Sequence, residues 1–220
     1  MNTIKSLLFN RFKLILILTA SLALSIVLLM IRAKITHSFF FLFLVWNLFL
    51  AIIPYGITTY LSSISKPKKP VFAFWFLVWL LFLPNAPYIV TDLLHLKISS
   101  NPMLWLDVLL VTSFAYNGLM LFFLSLSDME KLLHQYINKK YISSILLLLF
   151  CLTAFGIYLG RFLRYNSWEI IHQPSAIFTD IFEIIFKPNI EAWVFTITFG
   201  SFLAISYWML KVLKEKATVI

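Results

Sequence analysis

The residues Leu83-Pro84-Asn85-Ala86-Pro87-Tyr88-Ile89-Val90-Thr91-Asp92-Leu93-Leu94-His95-Leu96 follow an apolar, aromatic run long enough to enter a bilayer. Two prolines, an amide, an acid and an imidazole then stand where lipid would forbid them. Pro84 and Pro87 each lack an N–H and crowd the preceding turn, so a helix arriving here should break or unwind. Broken backbone at membrane depth survives only where protein or water covers it. Polar side chains at that depth mark a site by default. The stretch therefore points to a membrane-embedded helical protein whose third span is broken beside a candidate site.

Composition agrees. Of 220 residues, 61% are hydrophobic and only 12% charged, and the mean hydropathy is +0.93, which excludes an ordinary soluble domain. Six apolar stretches have roughly the length a bilayer demands: residues 14–31, 39–61, 71–90, 103–126, 142–160 and 192–210. Lys5, Arg11 and Lys13 precede the first as they would a signal peptide. Its apolar run outlasts any small-residue cleavage pattern, and Arg32 and Lys34 follow, so it reads as an uncleaved helix. The expected fold is all-α. It is a single integral membrane domain over residues 1–220, a polytopic bundle of about six transmembrane helices. The third helix is broken and an interfacial helix precedes the sixth.

Orientation follows from Lys and Arg. Twelve lie in the N-tail, the second and fourth loops and the C-tail; six lie on the other side. The richer side is expected to be cytoplasmic, with both termini there and the chain in a cell (plasma) membrane. Six of the nine acids fall on the outer side, so the whole net charge of +9 faces the anionic inner leaflet. That distribution implies the lipid bilayer as partner and no nucleic acid. Cys151, alone in an apolar run, forms no intrachain disulfide.

The loop at 161–191 carries Ile177, Phe178, Ile181, Phe182, Ile185 and Phe186 at helical spacing, with Asp180 and Glu183 on another face. Ser175, after Pro174, is the expected cap. The segment reads either as an amphipathic helix in the outer interface or as a helix packed on the bundle. An internal echo is also present. Phe43-Leu44-Val45-Trp46, with Pro54-Tyr55 and Thr58, recurs in register as Phe76-Leu77-Val78-Trp79, with Pro87-Tyr88 and Thr91. Consecutive spans run oppositely, so the copies should be inverted. Such a relation suits a duplicated packing unit or a transport repeat.

At about 1.5 Å per helical residue, the polar residues can be placed in depth. Asn47, Asn85, Asp92, His95, Asp107, Arg161 and Arg164 all fall near the outer boundary, and the inner halves of the spans are cleaner, Asn117 being the chief exception. Asp92 and His95 are spaced i, i+3 and share a helix face. Three readings stay open: a hydrogen-bonded structural pair, an acid–base pair, or two metal ligands with Asp107 as a third. Arg161, Arg164 and Trp168 are spaced i, i+3, i+7, with Asn166 between them. Two guanidiniums beside an aromatic suit a lipid phosphate, or snorkel to headgroups with Asp92 or Asp107 as partner. Gly156 and Gly160 form a G-x-x-x-G step for close helix approach. No spacing names a cofactor, so cofactor and metal are both left unknown.

With these residues in hand, the chain resembles a family of bacterial multi-pass membrane proteins defined only as a domain of unknown function. The resemblance rests on Trp46-Asn47-Leu48-Phe49-Leu50-Ala51, on Leu83-Pro84-Asn85-Ala86-Pro87-Tyr88 with Thr91-Asp92-Leu93 and His95-Leu96, on Trp105-Leu106-Asp107, and on the run from Gly160 through Trp168. It implies membrane location and the choice of site residues, and no reaction. The candidate catalytic residues are Asp92, His95 and Asp107. The candidate substrate-binding residues are Asn47, Asn85, Arg161, Arg164, Asn166 and Trp168. The functional expectation is binding or modification of a lipid or lipid-linked substrate at the outer leaflet, with an anionic or phosphate-bearing lipid as ligand. The alternatives are a small permease subunit and an assembly partner of another membrane protein.

Overall fold

The computed structural model describes residues 9, 11–98, 103–165, 174–187 and 189–217. Every regular element among them is helical: α1 (Phe12–Thr36), a 3-10 turn (Phe40–Leu42), α2 (Phe43–Ser62), α3 (Lys69–Phe82), α4 (Asn85–Tyr88), a 3-10 helix (Ile89–Ile98), α5 (Leu104–Leu133), α6 (Lys139–Arg161), α7 (Pro174–Phe186) and α8 (Ile190–Ala217). Six spans are long and apolar enough to cross a membrane, the third running from Lys69 to Lys97 across the break. The helices overrun the apolar stretches because helical hydrogen bonding continues into polar residues at the boundary, where hydropathy falls first.

The chain divides into two compact units, Met1–Gln135 and Tyr136–Ile220. In the first, α5 is the central element, with α1, α2, α4 and the 3-10 helix packed on it. Its buried side chains come from almost every turn, among them Leu110, Phe114, Phe122 and Met129. α1 runs antiparallel to α5 and is laced to it at three depths. Arg11 grips Asp128 with both terminal nitrogens, Nη2 to Oδ1 at 2.8 Å. In the middle, the Asn117 amide donates to Ser25 Oγ at 2.9 Å and to the Ser21 carbonyl at 3.3 Å. At the far end, Arg32 Nε donates to Asp107 Oδ1 at 3.0 Å. Such pairs are what a transmembrane charge requires.

The third span breaks where the prolines predict. α3 stops at Phe82, and the Leu83 N–H still reaches the Trp79 carbonyl at 2.8 Å. Pro84 and Pro87 supply no N–H, so the backbone re-pairs: Ala86 N–H turns to the Leu83 carbonyl and Tyr88 N–H to that of Pro84. The Phe82 carbonyl takes the Asn85 side-chain amide instead, at 3.0 Å. Protein covers the break: Ala86 and Pro87 are buried, and Gly118 of α5 faces the Ala86 carbonyl so closely that a methyl group there would overlap it. The ten residues beyond, Ile89–Ile98, wind as a 3-10 helix. Runs longer than three or four residues in this form are uncommon and often mark a functional hinge or strain.

The internal echo is inverted, as expected. α2 and α3 run in opposite directions, since Phe43 begins α2 beside His95 while Thr58 and Trp79 both reach Ser125. Each Thr of the repeat donates to the carbonyl of the Tyr three residues back: Thr58 to Tyr55 at 3.1 Å and Thr91 to Tyr88 at 2.7 Å. The likeness ends there. Trp46 is exposed and Trp79 fully buried, and α2 continues through Pro54 where the later prolines break the helix.

In the second unit α6 and α8 pack together, with Gly200 of α8 facing the Phe150 carbonyl at a distance that would also admit a methyl group. α7 starts at Pro174 itself, so Ser175 lies inside the helix rather than capping it. Both sequence readings of α7 find a counterpart. Ile184 is buried against Tyr158 and Ala192, while Phe182 and Phe186 stack on each other and stay exposed.

Candidate functional site

The 3-10 helix places the acid–imidazole pair. Residues i and i+3 eclipse in this winding, more closely than on an α-helix. Asp92 and His95 accordingly stand one above the other, Oδ1 to Nε2 at 3.8 Å. The Asp92 side chain is 1% exposed and that of His95 28%, so the acid is enclosed and the imidazole reaches the surface. Asn47, one turn into α2, donates its amide to Asp92 Oδ2 at 2.8 Å. The carboxylate is thus held by its second oxygen while the first faces the imidazole. The ring itself is walled by Phe43, centroid to centroid 4.9 Å, and by Phe40 at 6.1 Å.

A second charge pair adjoins this group. Asp107, fully buried in the first turn of α5, meets Arg32 from the last turns of α1. Arg32 Nη1 also donates to the Ser38 carbonyl at 3.0 Å, and its guanidinium lies 4.8 Å from the centroid of the Phe41 ring. Phe41 in turn contacts Phe40 and Phe43. One aromatic group, contributed by the turn between α1 and α2, therefore carries Arg32–Asp107 on one side and Asp92–His95 on the other. His37, in the left-handed conformation with φ 50°, turns the chain from α1 into this segment.

Asn47, Asp92 and His95 are brought together, and Asp107 lies in the adjoining pair. Arg32 was read from sequence only as a flanking charge. Its partner is 75 residues away, and no local pattern signals such a pair. Asn85 is placed at the break, where its amide serves the Phe82 carbonyl. Among the described residues no group of three His, Cys, Asp or Glu side chains is arranged to hold a metal, so Asp92, His95 and Asp107 do not form the three-ligand set considered above.

Arg161 and Arg164 belong to the second unit. The expected helical continuation through Trp168 does not occur, because α6 ends at Arg161. Arg164 takes φ 62°, and the Tyr165 N–H folds back to the Leu159 carbonyl at 3.2 Å. This return of the backbone across a left-handed residue closes the end of the helix. Tyr165 then donates its hydroxyl to Asp180 Oδ2 at 2.8 Å, tying α7 to the end of α6. Asn166 and Trp168 lie outside the described residues.

Six apolar spans and a polar cluster at the end of one unit define a polytopic α-helical membrane protein. Residues 46–206 match the family described as Protein of unknown function (DUF1361), and the chain belongs to that family. Comparison with curated proteins and with solved structures found no match.

Proposed function

We propose that the protein binds or modifies a lipid or lipid-linked substrate at the outer leaflet of the cell membrane, with both termini in the cytoplasm. The observation that carries this reading is the Asn47–Asp92–His95 arrangement. An enclosed carboxylate, fixed through its far oxygen, stands beside an imidazole that reaches the surface. At 3.8 Å the two stand just beyond hydrogen-bond distance, and a small closure would make them a general acid–base pair. Asp107, tied to Arg32, contributes a fixed neighbouring charge. Asn85 is the candidate substrate-binding group within this unit, and Arg161 and Arg164 of the second unit are separate candidates for holding an anionic or phosphate-bearing lipid. Membranes from cells making the wild type, Asp92→Asn or His95→Gln provide the test, read by lipid mass spectrometry. A lipid-linked species should change in level with the wild type and with neither variant. Folded variants producing the same lipid profile as the wild type would overturn the reading.

One observation favours a permease subunit instead: the Pro-Tyr-x-x-Thr repeat makes the same hydroxyl-to-carbonyl bond in two oppositely directed segments. Solute uptake into liposomes containing the purified protein would support that reading, and absence of flux would remove it.

A further inference from the structure

We infer that Arg32 is the phosphate-holding group of this site; the inference rests on the proposed function only for the lipid source of the phosphate. A guanidinium has five N–H donors in a planar fork. Here Nε serves Asp107 and Nη1 serves the Ser38 carbonyl, while Nη2 makes no hydrogen bond to any described residue. The side chain is nevertheless only 6% exposed, and Phe41 lies against the guanidinium. Nη2 itself is not enclosed, so this edge of the fork is open to an acceptor arriving from outside. The unspent edge, Nη2 together with the second hydrogen of Nη1, matches a two-oxygen acceptor such as a phosphate.

A purely structural clamp would use the guanidinium differently. Arg11 shows that form in the same molecule: both its terminal nitrogens are given to the two oxygens of Asp128. Asp107 takes only Nε of Arg32, so the fork is left for something else. Because Asp107 balances the formal charge, directed donors rather than a net positive field draw the ligand. Binding should therefore resist added salt better than binding to a surface lysine patch would. His95 stands across the Phe40–Phe41–Phe43 group from Arg32.

The test uses the full-length protein in detergent and native mass spectrometry. The probes are phosphatidylglycerol, diacylglycerol with the same chains, and inorganic phosphate. The wild type should retain phosphatidylglycerol about tenfold over diacylglycerol, as expected when a charge-assisted contact is made. Arg32→Lys, which keeps the charge and loses the fork, should abolish that preference. Arg32→Met/Asp107→Leu removes the pair together, so it should fold and also show no preference. Asp92→Asn should bind like the wild type, which separates loss of binding from loss of any turnover. Displacement by inorganic phosphate would support the free anion as sufficient ligand. Its failure to compete, with the lipid preference intact, would support the headgroup as the source. Equal retention of the two lipids by the wild type, or a folded double variant that keeps the preference, would overturn the inference.

Discussion

Arg164 holds a backbone conformation that side-chain-bearing residues avoid, with φ at 62° where a helix normally hands over to glycine. The Cβ makes this position unfavourable by roughly 1 kcal/mol. Arg164→Gly should therefore raise thermal stability by about that amount, read by a melting curve of the purified protein. A fall instead would show that the arginine side chain holds the helix end by contacts stronger than the backbone strain. The acid–imidazole pair was legible at this scale because i, i+3 spacing brings side chains together in either kind of helix. Arg32 was not, since hydropathy treats a cation at the end of a span as a flank. Its meaning lies in a carboxylate three spans further along the chain.

Among the elements, the broken third span depends on a contact that has no signature in its own sequence. The prolines announce a break, but the cover comes from Gly118, on a different helix. The obstacle at that glycine is a backbone carbonyl, which cannot rotate away as a side-chain end would. Gly118→Ala should cost about 1–3 kcal/mol through overpacking, measured as a lowered melting temperature. Gly200→Ala meets its nearest backbone atom at ordinary distance and should cost less. The pairing of α1 with α5 gives a second comparison. Arg32→Ala strands the Asp107 carboxylate and should destabilise by about 3–5 kcal/mol, whereas Arg32→Met/Asp107→Leu should be near neutral. Equal losses in the two variants would mean that packing, not charge compensation, governs this end of α1. The 3-10 form of Ile89–Ile98 was not legible at all. Sequence periodicity there fits an α-helix as well, and the backbone re-pairing around two prolines decides the outcome.

For the whole molecule, six apolar stretches gave the number and order of spans, because apolar length is the quantity a bilayer selects. The division into two units had no such cue. Only five residues, 134–138, separate α5 from α6, and they carry no linker composition. The ionic contacts at the start of α1 also set a pH expectation. The hydrogen bond from Asp128 is the largest influence on the Arg11 guanidinium and raises its pKa above an already high value; burial acts the other way, and Tyr55 adds a smaller upward effect. A base whose folded pKa is raised contributes its stabilisation fully below the unfolded value and loses it only on passing the folded one. Arg11 should therefore add no slope to stability between pH 6 and 9, roughly the span in which such proteins are handled. Wild type and Arg11→Met/Asp128→Leu should show parallel melting temperatures across that range. Diverging curves would show that another titrating group is tied to this pair.

The lacing of α1 onto α5 bears on where a fragment of this protein is to be cut. The stretch matched by the family begins at residue 46, so α1 falls outside it, yet α1 carries the counter-ions of Asp107 and Asp128 inside it. A gene trimmed to residues 46–206 would encode an Asp107 stripped of Arg32 and an Asp128 left with the exposed Lys131 in place of Arg11. Homology draws the border of the domain in one place and electroneutrality draws it one helix earlier; a chain meant to fold on its own has to respect the second.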